Sequence, residues 1–161
     1  MKFEVFQQHV IQWARVRGLL DISNAQSQML KLYEEFGELC SASVRGRQCA
    51  FDDAVGDCTV VLVILNKILE QSDIEFAKGE TKAGQRADIV AIGEHIGRLS
   101  FVVNRLHRLD AEEAREHIHN ALVALSSLDP DTYETNLQLV WDTISTRTGR
   151  VVDGAFVKCG D

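Results

Sequence analysis

The stretch FDDAVGDCTVVLVILNKIL, residues 51–69, joins an acidic start to an uninterrupted apolar run from Val60 to Leu65. From Val60 onward the stretch is apolar almost all round, which is typical of a helix buried on every side. The run is far shorter than the roughly 20 residues that a helix needs to span a bilayer. We therefore predict a helix from near Phe51 to about Leu69 as the central, most buried element.

The composition agrees with a helical protein. The chain has 161 residues, 45% of them hydrophobic, which is the size of one domain with a substantial core. Proline occurs once, at Pro130, so long helices meet few enforced breaks. We predict an all-α fold, a helical bundle that forms a single domain over residues 1–161.

Apolar residues recur at three- and four-residue spacing near the start of the chain, at Phe3, Phe6, Val10 and Trp13. This spacing predicts a first helix, which Gly18 ends. Trp13 could stack on a nucleobase, but an aromatic stripe on a helix is more often part of a core. The core is the preferred interpretation, and base stacking is the alternative.

A second helix carries a group of charged residues. Asp21, Ser23 and Asn24 offer N-caps, and the helix runs to about Val44, before the charged loop at residues 45–48. At 3.6 residues per turn, one side of this helix holds an amide, a lysine and several acids. These residues are Gln28, Lys31, Glu35 and Glu38, with Glu34 just beside them.

The acids of the second and third helices should meet. Asp53 and Asp57 lie one turn apart on the third helix. If the two helices pack antiparallel across their short loop, four or five carboxylates converge at one end of a bundle. Such crowding is unfavourable unless cations neutralise it, and oxygen ligands favour Mg²⁺ or Mn²⁺. The sequence predicts a metal site, although a Glu-Glu-x-x-Glu run can also be a plain solvated face.

At these residues the sequence resembles the all-α nucleoside triphosphate pyrophosphohydrolases, specifically the MazG-like group of bacteria and phages. The family pattern is a helix with E-x-x-E followed by a helix with E-x-x-D. QMLKLYEEFGEL, residues 28–39, supplies the first half, with Glu34 as an extra acid. DDAVGD, residues 52–57, supplies the second half, although Ala54 stands where the pattern has an acid and Asp53 takes that role. The resemblance implies four metal ligands, namely Glu35, Glu38, Asp53 and Asp57.

The resemblance also implies an activity. It is the hydrolysis of a nucleoside triphosphate, most plausibly a dNTP, to the monophosphate and pyrophosphate, in nucleotide pool control or sanitation. Carboxylate-held Mg²⁺ suits this chemistry because it neutralises phosphate charge and activates water. Glu35 or Glu34 would orient or deprotonate that water. Lys31 is placed to contact phosphate and Gln28 to contact base or sugar.

The end of the chain carries a hairpin signal. Asp153 and Gly154 stand between VV and AFV, which predicts a two-residue β-turn between short strands. Such a hairpin would fold the tail back and could bring Arg147 or Lys158 toward the phosphates. A solvated tail is the alternative.

The middle of the chain indicates an internal repeat. Shifted by 60 positions, EEFGELCSASVR from Glu34 lies over EHIGRLSFVVNR from Glu94. We interpret this as a tandem duplication with halves at about 24–70 and 84–128, which would build a pseudo-dimer within one chain. Chance similarity of amphipathic helices is the alternative. Glu35, Glu38 and Asp57 then correspond to His95, Arg98 and His117.

The second copy has therefore lost the acidic site. Arg98 could reach across to the phosphates of the working half. Members of the resembled family dimerise through such helices, so we expect a homodimer or a pseudo-dimeric monomer. A transition-metal site is a further alternative, since Glu116-x-x-His119 resembles half of a di-iron motif, but that motif is needed twice. The transition-metal site would take His95, Glu113, His117 and His119 as its ligands. Our expectation is instead that the histidines are neutral and either solvated or buried.

Other classes of function are disfavoured. The formal net charge is -7 and no basic stripe is present, so nucleic acid is not an expected partner. The four cysteines form no CxxC pair, which predicts neither a zinc finger nor a disulfide framework. The N-terminal residues lack an apolar leader segment, so we expect a cytoplasmic protein without a membrane partner. The competing function is a non-catalytic helical module for nucleotide sensing or protein interaction.

Overall fold

The computed structural model describes residues 1–75, 78–80, 84–105 and 111–158, without the side chains of residues 155 and 158. Seven helices and one two-stranded hairpin lie in these ranges, so the predicted helical fold and terminal hairpin are confirmed. The elements are α1 (Phe3–Val16), α2 (Leu19–Ile22), α3 (Ala25–Val44), α4 (Gln48–Ile68), α5 (Gln85–Asn104), α6 (Ala111–Leu128), α7 (Tyr133–Ser145), β1 (Gly149–Val152) and β2 (Ala155–Lys158).

Helix α4 is the centre of the fold. It packs against α1, α3, α6 and α7, and all residues from Cys58 to Asn66 are buried. This is the apolar stretch that the sequence predicted to be surrounded by protein. A polar side chain within it, Thr59, is satisfied because its hydroxyl donates to the carbonyl of Val55 at 2.8 Å.

Helices α3 and α4 form a tight hairpin. Asn24 caps α3, its side chain accepting a hydrogen bond from the Ser27 amide at 2.9 Å. Gly46 adopts a φ of +64° after the last turn of α3, and the Arg47 amide donates to the carbonyl of Ala42 at 3.0 Å. Helix α4 begins at Gln48, earlier than predicted, so the turn is short and α4 runs back along α3.

The second helical pair, α5 and α6, packs on the first. Helix α5 contacts α3, and α6 contacts α4. The contact between α3 and α5 includes Phe36 against Gly93, where an added Cβ would lie 3.2 Å from the Phe36 ring. Helix α5 begins and ends 60 positions after α3, and α6 ends 60 positions after α4.

The C-terminal hairpin docks on the start of α3. Asp153 and Gly154 both have positive φ, 49° and 79°, as a two-residue hairpin turn requires. The hydroxyl of Ser23 donates to the Gly154 carbonyl at 2.5 Å, and that of Ser27 donates to the Asp153 carbonyl at 3.2 Å. These bonds fix the predicted hairpin against the bundle.

Two findings bear on the broader class of the protein. No helix within the described ranges is both long and apolar enough to cross a membrane. Three cysteines of these ranges, Cys40, Cys49 and Cys58, are free thiols, and Cys159 lies outside the described residues.

Substituting Gly56 with alanine is expected to destabilise the protein. Helix α4 meets α7 at this glycine, where an added Cβ would lie 2.8 Å from Cβ of Val140, so one helix must shift. We expect the free energy of unfolding in denaturant to fall by about 1–3 kcal/mol, the usual cost of overpacking. Gly97→Ala is the matched control, because Gly97 lies in a helix with open space at its Cβ position. It should stabilise by about 0.5–1 kcal/mol, and equal effects at both sites would contradict this account of the α4–α7 contact.

Candidate functional site

A cavity of about 440 Å³ opens between α1, α3, α4, α7 and the hairpin. Its volume falls within the range of small-molecule sites, about 300–1,000 Å³. One part of its wall is acidic and another is apolar. The acidic part consists of Glu34, Glu35, Glu38, Asp53 and Asp57. The apolar part consists of Trp13, Leu19, Val60, Val61, Ile64, Ile144, Phe156 and Val157.

The acidic part of the wall is built by the α3–α4 hairpin. The sequence predicted that the acids of these helices converge, and all five line the same cavity. Glu35 is 7% exposed, and Asp57 is partly buried, while Glu34, Glu38 and Asp53 are exposed. The acids therefore lie at the border between the buried part of the α3–α4 pair and the open cavity.

Burial and mutual repulsion act on these carboxylates. Burial is the main cause that raises the pKa of Asp57 from 3.8 to about 7, and the charges of Glu35 and Asp53 raise it further. Arg147 and Lys31 act in the opposite direction and offset only part of the rise. Burial also raises the pKa of Glu35, against the lowering effect of Lys31. The site thus holds more negative charge than its own cations compensate.

Lys31 is the cation that lies closest to these acids. Its Nζ lies 2.7 Å from a carboxylate oxygen of Glu34 and 2.7 Å from one of Glu35. Burial acts to lower the pKa of Lys31, but the two carboxylates outweigh it and hold that pKa above its ordinary value. Lys31 therefore stays charged and pairs with both glutamates at the cavity wall.

The donor set fits a hard divalent cation in its chemistry. Carboxylate oxygens are the ligands that Mg²⁺ and Mn²⁺ prefer, and a cation would relieve the repulsion that Asp57 shows. Among the described residues, however, no three His, Cys, Asp or Glu side chains stand already arranged around a common metal position. Binding would therefore need rotation of side chains, and the exposed Glu34, Glu38 and Asp53 have the space for it.

Gln28 and Arg147 line the cavity as well. Gln28 is 3% exposed, and its amide nitrogen donates to the Ser23 hydroxyl at 2.9 Å and to the Gly154 carbonyl at 3.3 Å. Gln28 thus joins the hairpin turn to the wall of the cavity. Arg147 is held at its backbone, where its carbonyl accepts a hydrogen bond from Arg17 at 2.8 Å.

Two other residues predicted to bind substrate, Arg98 and Lys158, have different outcomes. Arg98 lies on α5, where its exposed guanidinium pairs with Glu94 at 3.0 Å, and it is absent from the cavity wall. The backbone of Lys158 pairs with Gly149 in the hairpin, but its side chain lies outside the described residues.

The apolar wall contains residues that the sequence did not assign to a site. Phe156 comes from β2 and meets Trp13 edge-on, with ring centroids 5.2 Å apart. Trp13 is buried as predicted, with its indole nitrogen donating to the Ile144 carbonyl at 2.9 Å, yet it also lines the cavity. The guanidinium of Arg17 lies 4.7 Å from the centroid of the Trp13 ring. The hairpin signal was the only sequence feature that could have pointed to Phe156.

Comparison with known proteins adds a partial similarity. The sequence is similar to the "Uncharacterized 18.2 kDa protein in rep-hol intergenic region" of Haemophilus phage HP1 (strain HP1c1), at 48% identity over 59 residues. The match covers 37% of this chain and 36% of the phage protein. No protein-family model matches the sequence, and no solved structure matches it.

The repulsion at Asp57 predicts a dependence of stability on pH. A raised pKa means that the contribution of Asp57 to stability is complete below pH 3.8 and is lost as the pH rises through about 7. Wild type should therefore lose stability as the pH rises from 5 to 8, and Asp57→Asn should not. In chelating buffer, the free energy of unfolding of Asp57→Asn should rise relative to that of wild type by about 1–3 kcal/mol from pH 5 to pH 8.

Denaturant unfolding at both pH values measures this gain. Asp142→Asn is the control, because Asp142 is exposed on α7 and does not line the cavity. The control should show no such pH-dependent difference. If Asp57→Asn changes the free energy of unfolding equally at pH 5 and pH 8, Asp57 does not carry the repulsion described above.

Proposed function

We propose that this chain is a MazG-like pyrophosphohydrolase that cleaves a nucleoside triphosphate, most plausibly a dNTP, to the monophosphate and pyrophosphate with Mg²⁺. The observation that carries the proposal is the division of one cavity into an acidic and an apolar part. A nucleoside triphosphate has the same division, with a polyanionic chain that travels with divalent cations and a flat base. Nucleotide pool control or sanitation is the role that this activity would serve.

The acidic part would hold the reacting end of the substrate. Glu35, Glu38, Asp53 and Asp57 would hold Mg²⁺, with Mn²⁺ as a substitute, and the chemistry that the ion supplies is neutralisation of charge on the phosphate oxygens. The five acids outnumber the cations that the described residues contribute to the wall, which are Lys31 and Arg147. A triphosphate without a bound cation would therefore be repelled from this part of the cavity.

Glu35 is the better placed of the two candidate general bases. It is buried, its pKa is raised, and Lys31 fixes its orientation at 2.7 Å, whereas Glu34 is exposed. In the proposed step, the oxygen of a water attacks the α-phosphorus while Glu35 accepts the proton. The bond from the α-phosphorus to the bridging oxygen breaks, and pyrophosphate leaves. Lys31 and Arg147 would contact the phosphate oxygens and stabilise their charge.

The apolar part would receive the base. Trp13 is fixed by its hydrogen bond to the Ile144 carbonyl, and Phe156 meets it edge-on. These rings provide a rigid aromatic wall of the kind that stacks on bases. Gln28 also lines the cavity and would contact the base or the sugar.

The helix bounds support the proposed duplication. Helix α5 repeats the limits of α3 with a shift of 60 positions, and each member of the second pair packs on its counterpart in the first. We therefore propose that the chain is built as a pseudo-dimer with one working site. Arg98 is not used in this proposal, because it pairs with Glu94 away from the cavity.

Hydrolysis assays with Mg²⁺ test the proposal. Wild-type protein is incubated with each of the four dNTPs and dUTP, and the released pyrophosphate and monophosphate are identified. Glu38→Gln should lower kcat by at least about 100-fold, since loss of a group that only orients a metal ligand already costs about 10–100-fold. The matched control is Glu94→Gln, because Glu94 is an exposed acid on α5 away from the cavity, and it should retain wild-type activity.

Other outcomes decide against the enzyme. If no nucleotide yields product and wild type is indistinguishable from Glu38→Gln, the proposed hydrolysis is wrong. Saturable nucleotide binding by calorimetry without any turnover would instead favour the non-catalytic sensing module.

A further inference from the structure

The side chain of Gln28 is held by the hairpin turn and still reaches the cavity. It lies on α3, is 3% exposed, and belongs to the cavity wall. Its amide nitrogen bonds to the Gly154 carbonyl, which is part of the turn. The direction of this amide therefore decides which chemical groups of a ligand the wall can recognise at Gln28.

Both hydrogens on Nε2 of Gln28 are already used. One is donated to the Ser23 hydroxyl at 2.9 Å and the other to the Gly154 carbonyl at 3.3 Å. The Ser23 hydroxyl donates its own hydrogen to the same carbonyl at 2.5 Å, so it can only accept from Gln28. These three residues form a closed set of hydrogen bonds that leaves Gln28 without a hydrogen to donate to a ligand.

The orientation of the amide group follows from the same bonds. A backbone carbonyl oxygen only accepts hydrogen bonds, so the atom of Gln28 that faces Gly154 must be the nitrogen. A flipped amide would place Oε1 against that carbonyl oxygen, with two acceptors in contact and no hydrogen between them. Docking of the hairpin thus holds the amide of Gln28 in one orientation.

The oxygen of the amide is the atom that remains for a ligand. No described residue donates a hydrogen bond to Oε1 of Gln28, and Oε1 is not among the polar atoms that are sealed from solvent without a partner. Since Gln28 is otherwise buried, its open part faces the cavity that it lines. Gln28 can therefore accept a hydrogen bond from a ligand but cannot donate one.

Helix α3 places this acceptor close to the residue that would contact phosphate. Lys31 follows Gln28 by three residues, so the two side chains are neighbours on the helix surface, with Cβ atoms about 5–6 Å apart. In a nucleotide, the sugar is joined directly to the α-phosphate, and the base lies beyond it. The sugar of a dNTP has one hydrogen-bond donor, the 3′-hydroxyl.

We propose that Oε1 of Gln28 accepts a hydrogen bond from the 3′-hydroxyl of the substrate, so that the site selects nucleotides that carry this group. The proposal rests on the proposed function, because Lys31 marks the phosphate end only if the cavity takes a nucleoside triphosphate. A substrate with an acceptor at this position would set two oxygens against each other and would be rejected.

Calorimetric titration of the full-length protein with Mg²⁺ and non-hydrolysable α,β-imido analogues of the dNTPs tests the proposal. Each analogue is compared with its 2′,3′-dideoxy counterpart, which lacks only the 3′-hydroxyl. Wild type should bind the deoxy form more tightly by about fivefold, the usual worth of one hydrogen bond. Gln28→Met keeps the length of the side chain without its amide and should bring the ratio of the two affinities close to one.

Ser27→Ala is the matched control. It removes a different bond to the hairpin, the one from the Ser27 hydroxyl to the Asp153 carbonyl at 3.2 Å. Weaker docking of the hairpin changes the affinities for both analogues and leaves their ratio unchanged. Ser27→Ala should therefore keep the ratio of wild type, which separates recognition by Gln28 from docking of the hairpin.

Equal binding of the deoxy and dideoxy analogues by wild type overturns the proposal, and so does an unchanged ratio in Gln28→Met. If no analogue binds, this proposal and the proposed function are both wrong. If the analogues bind with the expected ratio but no dNTP is cleaved, only the proposed hydrolysis is wrong. Circular dichroism checks the fold of each variant, and Gln28→Ala gives the same comparison if Gln28→Met unfolds.

Discussion

The burial of α4 on every side is the constraint on which the rest of the structure depends. Its buried stretch from Cys58 to Asn66, which contains the apolar run from Val60 to Leu65, is removed from water only if other helices surround it, and α1, α3, α6 and α7 do so. The same helix begins with acids that cannot enter such a core. Asp53 and Asp57 therefore mark the point where buried helix gives way to cavity, and they fix the location of the site.

The acidic part of the cavity lowers the stability of the fold through repulsion between its carboxylates. The protein keeps Glu35 buried and raises the pKa of Asp57 to about 7, with burial as the main cause, so the folded state carries repulsion that an apolar or neutral site would lack. Lys31 and Arg147 offset part of this repulsion. Clusters of groups with shifted pKa values occur preferentially at functional sites, which is why this part of the cavity has the central place in the proposed reaction.

The C-terminal hairpin completes the cavity from a distant part of the chain. Ser23, Ser27 and Gln28 at the start of α3 bind the carbonyls of the hairpin turn, and this docking brings Phe156 against Trp13. The apolar wall therefore depends on bonds between residues more than 120 positions apart. A chain of this size gains a two-part cavity because its first helix and its last strand meet, with Trp13 against Phe156.

The sequence by itself determined the helical class, the central position of the apolar helix, the hairpin turn and the convergence of five acids. These features follow from local periodicity, from the short connection at Gly46 and from the φ preferences of Asp153 and Gly154. Only the tertiary structure decided that Trp13 and Phe156 share a wall, that Arg98 pairs with Glu94, and that His95 meets His117. Contacts between helices distant in the chain depend on how whole faces pack, and spacing within one helix carries no information about its partner's rotation or depth.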